Sequence, residues 1–395
     1  MEAHAESITV SVLIATFNRA HMLPETLNSI LAQSRLPDEI IVINDGSTDD
    51  TEAALKPYMD RIAYIKQPNG GRSSALNVGL RMATSSHIWL FDDDDIALPD
   101  AVETHRAFLL ANPENDFSYS PCYYFTGEFS AQSLADQPEP TLPTIDPNHY
   151  LLMVLEDMRG SMPGMLIPMR CYQAVGPFDE TLYRCQDHDM VIRLARRFRA
   201  GRIDKPTFAV RSHNGVRGPG FAQHNGRQRF VVWRQYQQRI YQRVLDQLRL
   251  EEYLPRTNET ARPLTPTERR RAFLQRAYIL ANRGLYDEAL RDLEASARET
   301  LDESDAMPAI ERRLFSAITL IGEHGHIGPA RFYARLGRLA HLRRSALLLL
   351  CRGSYWSGVK HRARPLILSK ICTRAMALIA GYLCGPPKHE LRSGR

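Results

Sequence analysis

His87-Ile88-Trp89-Leu90-Phe91-Asp92-Asp93-Asp94-Asp95 is the stretch on which the reading of this chain turns. A short, continuous apolar run bounded by polar residues reads as a buried strand. This run ends in four adjacent carboxylates. Acids so spaced repel one another and are costly to hold together unless a cation neutralises them. Hard divalent ions take oxygen ligands and keep positions open for water and substrate phosphates. The strand end is therefore expected to hold a metal, Mg²⁺ or Mn²⁺, which in turn holds a diphosphate. The simpler alternative is a solvated turn whose aspartates cap a helix.

The residues before this stretch repeat its form. Ile8 to Ala15 is a strand rich in β-branched residues that runs into the polar turn Thr16-Phe17-Asn18-Arg19. Leu23, Thr26, Leu27, Ile30 and Leu31 then recur at helical spacing. Glu39 to Asn44 is a second strand, ending in Asp45-Gly46-Ser47-Thr48-Asp49. Ile62 to Ile65 is a third, and Gly70-Gly71-Arg72-Ser73-Ser74 opens a helix that leads to the acidic strand. Strands alternating with helices imply a parallel sheet with helices on both faces. In such sheets ligands sit beyond the carboxyl ends of the strands, near a switch in strand order. All three polar clusters lie at such ends. No GxGxxG follows the first strand and no GxxxxGK[ST] occurs, which argues against a dinucleotide Rossmann site and a P-loop.

Three of these segments resemble the family-2 glycosyltransferases of the GT-A fold. Ser11 to Arg19 is similar to the family's opening strand and turn, Val42 to Asp49 to its nucleoside-binding loop, and Leu90 to Asp95 to its DxD segment. The order and intervals agree over roughly residues 8 to 215. The resemblance implies an α/β, Rossmann-like mixed sheet, mostly parallel and flanked by helices, followed by an α-helical C-terminal region. It implies a nucleoside diphosphate sugar donor, most often a UDP-sugar, and transfer with inversion to an acceptor hydroxyl. Thr16, Asn18, Arg19, Asp45, Arg72, Asp92 and Asp93 are the expected donor-binding residues. Asp45 is expected against the nucleobase, because a carboxylate suits an imide N–H. Asp94 and Asp92 are the expected metal ligands, with His213 approaching the metal or the diphosphate. Asp95 is expected to order the turn that follows, and Asp100 to cap the next helix with Glu103 three residues on.

Farther along, Gln186-Asp187-His188-Asp189-Met190 opens a helix and is similar to the family's Glu-Asp-x-Asp segment, with Gln186 in place of Glu. The resemblance points to Asp187 as the general base, and one positioned base suffices for such a transfer. The alternative is that Asp187 and Asp189 only favour the positive end of their helix. Tyr119 to Tyr124 reads as one strand. Glu128 to Pro147 is Pro-rich and polar, a loop suited to an acceptor site. Ser161 to Pro168 reads as a turn and a strand lining that cleft, and Gly215 to Gly226 as a mobile loop closing over the donor.

The second half differs in composition. Three regions follow from it: a catalytic domain over 1–228, a helical domain over 229–330, and a basic helical segment over 331–395. Thr267 to Thr300 resembles a single tetratricopeptide helix pair; a plain helical bundle accounts for it equally without a second copy. Residues 331–395 carry 14 Lys and Arg against one acid, a net +13, so the first 330 carry −8 of the overall +5. A basic end with two apolar stretches, the longer interrupted by Lys370 and Arg374, suits an anionic membrane surface better than a spanning helix. No nucleic acid partner is expected. The N-terminal residues lack the apolar core of a secretory signal, and the six cysteines lack CxxC spacing. A cytoplasmic protein, peripheral on the cytoplasmic face and acting in polysaccharide biosynthesis, is the resulting expectation. The acceptor is open between saccharide, lipid-linked saccharide and protein. The other function classes are a nucleotidyltransferase, which would favour a glycine-rich phosphate loop that Thr16 to Arg19 lacks, and a non-catalytic nucleotide-sugar-binding protein.

Overall fold

The computed structural model describes residues 8–135, 137–140, 142, 145–157, 161–212, 229–257 and 262–299. The chain divides into two compact units, 1–236 and 237–395. The first unit is built on a seven-stranded sheet. Its parallel half comprises β1 (Val10–Thr16), β2 (Glu39–Asn44), β3 (Ala63–Lys66) and β4 (His87–Phe91). The strand order is β3-β2-β1-β4-β8-β6-β9, where β6 is Phe117–Tyr119, β8 is Met165–Pro168 and β9 is Ala200–Arg202. β8 is antiparallel to both β4 and β6, so the sheet is mixed.

The chain returns across the sheet between β1 and β4, which is the switch point where such folds place ligands. Register aligns the strand ends there. Thr16 lies opposite Asn44, and Phe91 opposite Ile14. The polar residues after each strand therefore emerge on one rim. The inner parallel strands β1, β2 and β4 are mostly apolar and buried because both faces are covered, whereas the edge strand β3 is partly exposed. Leu23, Leu27 and Ile30 of α1 (Leu23–Leu31) pack with Val10, Val12, Ile14, Trp89 and Phe91 in one core. The ring N–H of Trp89 donates to the Pro163 carbonyl at 2.6 Å, which fixes the turn before β8.

The single strand expected over 119–124 is two strands in two sheets. β6 ends at Tyr119, Ser120 and Pro121 break the ladder, and β7 (Cys122–Phe125) joins a small sheet of order β5-β10-β7. Here β5 is Ile96–Ala97 and β10 is Phe208–Arg211. Proline has no N–H to donate, and the Ser120 hydroxyl shares a 2.6 Å hydrogen bond with Thr207 beside β10. β8 lies inside the large sheet with all four residues buried, so it forms core rather than the wall of a cleft. Asp100 stands at the N-cap position of α4 (Ala101–Ala111) but makes no capping bond; its carboxylate pairs with Lys205 instead.

The second unit holds the end of α9 (Arg229–Gln247) and the hairpin of α10 (Pro266–Asn282) and α11 (Tyr286–Arg298). α10 starts with a capping box in which Thr265 and Glu268 satisfy each other's backbone N–H groups. Arg269 forks onto Glu299 with two 2.9 Å bonds, and Arg276 onto the buried Asp292 at 2.6 and 2.7 Å. The paired positions are two turns apart on each side, which fixes the antiparallel register. Among the described residues no helix is long and apolar enough to cross a membrane. His213, the expected closing loop, and the basic segment over 331–395 lie outside the described residues.

Candidate functional site

The rim beyond β1, β2 and β4 is assembled from four loops, each held by side chains from another. Asp45 directly follows β2 and is buried. Its Oδ1 accepts from Gln67 Nε2 at 2.7 Å and from the Gly70 N–H at 2.9 Å, and its Oδ2 from the Gly71 N–H at 2.8 Å. One carboxylate thus shapes the turn that opens the next helix. The neighbouring glycine makes that approach possible. Gly46 has φ +74°, and a Cβ there would lie 2.7 Å from the Asn69 backbone nitrogen.

Asn18 and Arg19 sit across from this cradle. Asn18 has φ 54°, and its side-chain Oδ1 accepts from the Thr48 N–H at 2.8 Å while its backbone N–H donates to Ser47 Oγ at 2.9 Å. Asn18 therefore ties the β1 turn to the β2 loop. Arg19 faces the acidic turn instead. Its Nε lies 3.8 Å from Asp93 Oδ1 and its Nη2 3.9 Å from Asp94 Oδ2.

The helix α3 (Arg72–Met82) brings the remaining pieces together. Arg72, its first residue, forms an ion pair with Asp92. Burial works against the charge on Arg72, but Asp92, Asp93 and Asp187 outweigh it and hold the guanidinium protonated. Asp187 lies in the first turn of α8 (Gln186–Arg197) and accepts the His188 N–H at 2.8 Å. Burial, with Asp92 adding to it, raises the Asp187 carboxyl above the usual carboxylate range, against the pull of that N–H and of Arg72. Arg72 is thus the shared neighbour of the acidic turn and of α8. Lower on α3, Asn77 clamps the segment leading to α8. It donates to the Phe178 carbonyl at 3.0 Å and to Glu180 at 2.9 Å, and accepts the Phe178 N–H at 2.8 Å. Asp189 is occupied elsewhere on α8: it pairs with Arg193, one turn on, which in turn caps the carbonyls of Val175 and Gly176.

The acidic turn contains three residues able to share a cation. Asp92, Asp94 and Asp95 each offer an oxygen, and the three atoms lie within 4.8 Å of one another. An all-oxygen set of this kind fits a hard divalent ion. Asp93 is outside that set; burial and the adjacent Asp94 push its carboxyl up, with Arg19 and the Thr16 hydroxyl pulling the other way. Asp95, expected only to order the following turn, takes the Arg211 N–H at 3.0 Å and also belongs to the oxygen set. The structure therefore gathers Thr16, Asn18, Arg19, Asp45, Arg72, Asp92, Asp93, Asp94 and Asp187 around one rim. Nothing in the sequence assigns a role at this rim to Asn77, Arg211 or Glu25. Asn77 and Glu25 lie on helices whose periodicity says nothing of tertiary partners, and Arg211 ends a plain apolar strand.

Comparison with known proteins agrees with this architecture. Residues 11–165 match the profile described as Glycosyl transferase family 2. An uncharacterized glycosyltransferase of Rickettsia bellii is 31% identical over 295 residues, covering 73% of this chain and 41% of that one. Another, from Rickettsia prowazekii, is 30% identical over 204 residues, covering 50% of this chain and 61% of its own. The chain spans between 31% and 61% of the length of the rickettsial relatives. Among solved structures, S. aureus TarS 1-349 in complex with UDP-GlcNAc aligns with TM-score 0.50 and 16% identity, over 95% of this chain and 92% of that one. That likeness is one of fold.

Proposed function

We propose that this chain, whose residues 11–165 match the model of glycosyl transferase family 2, moves a sugar from a nucleoside diphosphate donor to an acceptor hydroxyl with inversion at the anomeric carbon. The observation that carries the proposal is the position of Arg72. One guanidinium pairs with Asp92 and lies in the field of Asp187, which supports a reading in which the donor side and the base side share this residue. The rickettsial relatives bear the glycosyltransferase name, and the TarS fragment of like fold was solved with UDP-GlcNAc; both support a nucleotide-sugar donor, with a UDP-sugar as first choice.

In the proposed mechanism Asp92, Asp94 and Asp95 would hold a Mg²⁺ or Mn²⁺ ion. Such an ion acts as a Lewis acid, stabilising charge on the leaving diphosphate. Arg19 and Arg72 add fixed positive charge to the same rim. Asp45 and the Gly70–Gly71 turn present a shaped edge to the nucleobase, with Thr16 and Asn18 beside it. Asp187 removes the proton from the acceptor hydroxyl as its oxygen attacks. A carboxyl raised by burial is a better base than a solvated one. The rate is therefore expected to rise with pH through a value above the usual carboxylate range and then level off. His213 remains a proposed further contact to the metal or diphosphate. A peripheral attachment of 331–395 to an anionic membrane is proposed from its charge alone, and with it the cytoplasmic face. The three regions 1–228, 229–330 and 331–395 remain the proposed organisation of the chain, and saccharide, lipid-linked or protein acceptors all remain compatible with it.

The test is a panel of nucleotide sugars scored by melting temperature with Mn²⁺, with Mg²⁺ and with chelator. A ligand that binds only the folded chain raises that temperature. One donor should stabilise in a metal-dependent way. Asp187→Asn should retain that shift and lose transfer. Full transfer by Asp187→Asn would remove it as the base, and no shift with any donor would remove the proposal.

A further inference from the structure

The acidic turn is not held by its own strand. A buried guanidinium reaches it from β10, and a carboxylate on α1 holds that guanidinium in turn. Arg211 Nε donates to the Asp94 carbonyl at 2.9 Å, and the Arg211 N–H to Asp95 Oδ1 at 3.0 Å. Nη1 donates to the Gly127 carbonyl and Nη2 to Glu25. The guanidinium lies 4.5 Å from the centroid of the Phe125 ring, and the Arg211 side chain is 6% exposed. The other oxygen of Glu25 accepts the Phe129 N–H at 3.0 Å. Its neighbour on α1, Thr26, donates its hydroxyl to the Asp95 carbonyl at 2.8 Å.

The pair is buried on the Arg211 side, with Glu25 36% exposed; taking a guanidinium out of water is a poor way to fill a core, because desolvation offsets its attraction, and apolar residues of the same volume often serve as well or better. What apolar side chains cannot do is fix the Asp94 carbonyl at a set distance from a third segment, here the Gly127 carbonyl and Glu25; the Asp95 carboxylate is taken by the Arg211 backbone N–H, which other residues at this position would also supply. Arg211 does this with a rigid planar fork that a Lys would not reproduce. The two residues it fixes, Asp94 and Asp95, supply two of the three oxygens of the cation set. The segment it fixes them to, 127–129, begins the Pro-rich stretch that the sequence suggests for an acceptor.

We propose that Arg211 and Glu25 are positioning residues for the metal: held by Glu25, the Arg211 fork sets the Asp94 backbone from which one ligand carboxylate projects, keeps the Arg211 N–H against the Asp95 carboxylate, and ties the 127–129 segment to the same geometry. The inference rests on the function proposed above. Partners that orient metal ligands from outside the coordination sphere typically change metal affinity 10–100-fold when altered. Glu25→Gln keeps the shape of the side chain and removes the charge that holds Arg211. Arg211→Lys keeps a charge for Glu25 and gives up the fork to Asp94 and Gly127.

The experiment titrates the full chain and both variants with Mn²⁺ alone, reading the free ion by electron paramagnetic resonance. It is run at a temperature where each chain shows native circular dichroism. Affinity is expected to weaken about 10–100-fold in each variant. The double variant should be little weaker than either single one, because the pair acts as a unit. A purely structural role would lower the melting temperature and leave the Mn²⁺ affinity of the folded chain unchanged. Unaltered affinity in a folded Glu25→Gln chain overturns the inference, and that variant decides alone if Arg211→Lys does not fold. If the unaltered chain binds no Mn²⁺, the proposed function fails and the inference with it, a result distinct from equal binding by all chains.

Discussion

Asp45→Asn changes the rim by one atom type and almost no volume. In the native chain the two carboxylate oxygens accept three hydrogen bonds, from Gln67 Nε2, Gly70 N–H and Gly71 N–H. An asparagine oxygen can still serve Gln67 and Gly70. Its NH₂ then faces the buried Gly71 N–H, donor against donor. Losing one charge-assisted bond and stranding one buried N–H each amount to about 1–3 kcal/mol. The two remaining bonds also lose their ionic partner. A local cost of about 3 kcal/mol results, which is roughly a hundredfold in the equilibrium for opening the turn. Hydrogen exchange read by mass spectrometry on a peptide spanning 67–76 measures this directly. Exchange there should quicken by about that factor, while peptides from β1 and β4 stay protected. Nucleotide affinity should fall in parallel, since the turn proposed to face the base is loosened. Native exchange at 67–76 in the Asn chain would show that the carboxylate does not hold the turn.

Three further outcomes are expected. Asn77→Ala strands the buried Phe178 N–H and C=O, about 3 kcal/mol in all, and releases the segment before Asp187; transfer should fall at least about tenfold with donor affinity nearly kept, as donor titration and turnover would show. His105 is buried between Ser118 and Thr207, and burial pulls its pKa from 6.5 down to about 3. Between those values the unfolded chain binds the extra proton, so stability falls as pH falls below 6.5, by about 2 kcal/mol at pH 5. Urea midpoints at pH 7 and pH 5 would read it, and His105→Gln should flatten the difference. In the second unit, Arg276→Met leaves Asp292 buried without its fork and should cost about 3–5 kcal/mol, whereas Arg276→Met with Asp292→Leu should recover most of that; exchange of α10 and α11 amides would separate the two.

The sequence by itself determined the parallel half of the fold and the composition of the rim. Each of β1, β2 and β4 is an apolar run that stops at a polar cluster, and parallel register then places all such stops on one edge. Local pattern suffices there, because side-chain period and strand ends are properties of neighbouring residues. The same holds for Asp187, which heads an amphipathic helix. Tertiary structure decided what those residues touch. Arg211 meets Glu25 across 186 positions, and Asn77 meets Phe178 across 101. No local period records such pairs, since a hydrogen bond between distant segments depends only on where folding brings them. Structure also split 119–124 between two sheets at Pro121, placed Asp95 rather than Asp93 with the cation oxygens, and turned Asp45 onto the Gly70–Gly71 turn. Four adjacent aspartates are alike in sequence; they differ only once a folded backbone points each carboxylate in its own direction and supplies it with a different neighbour.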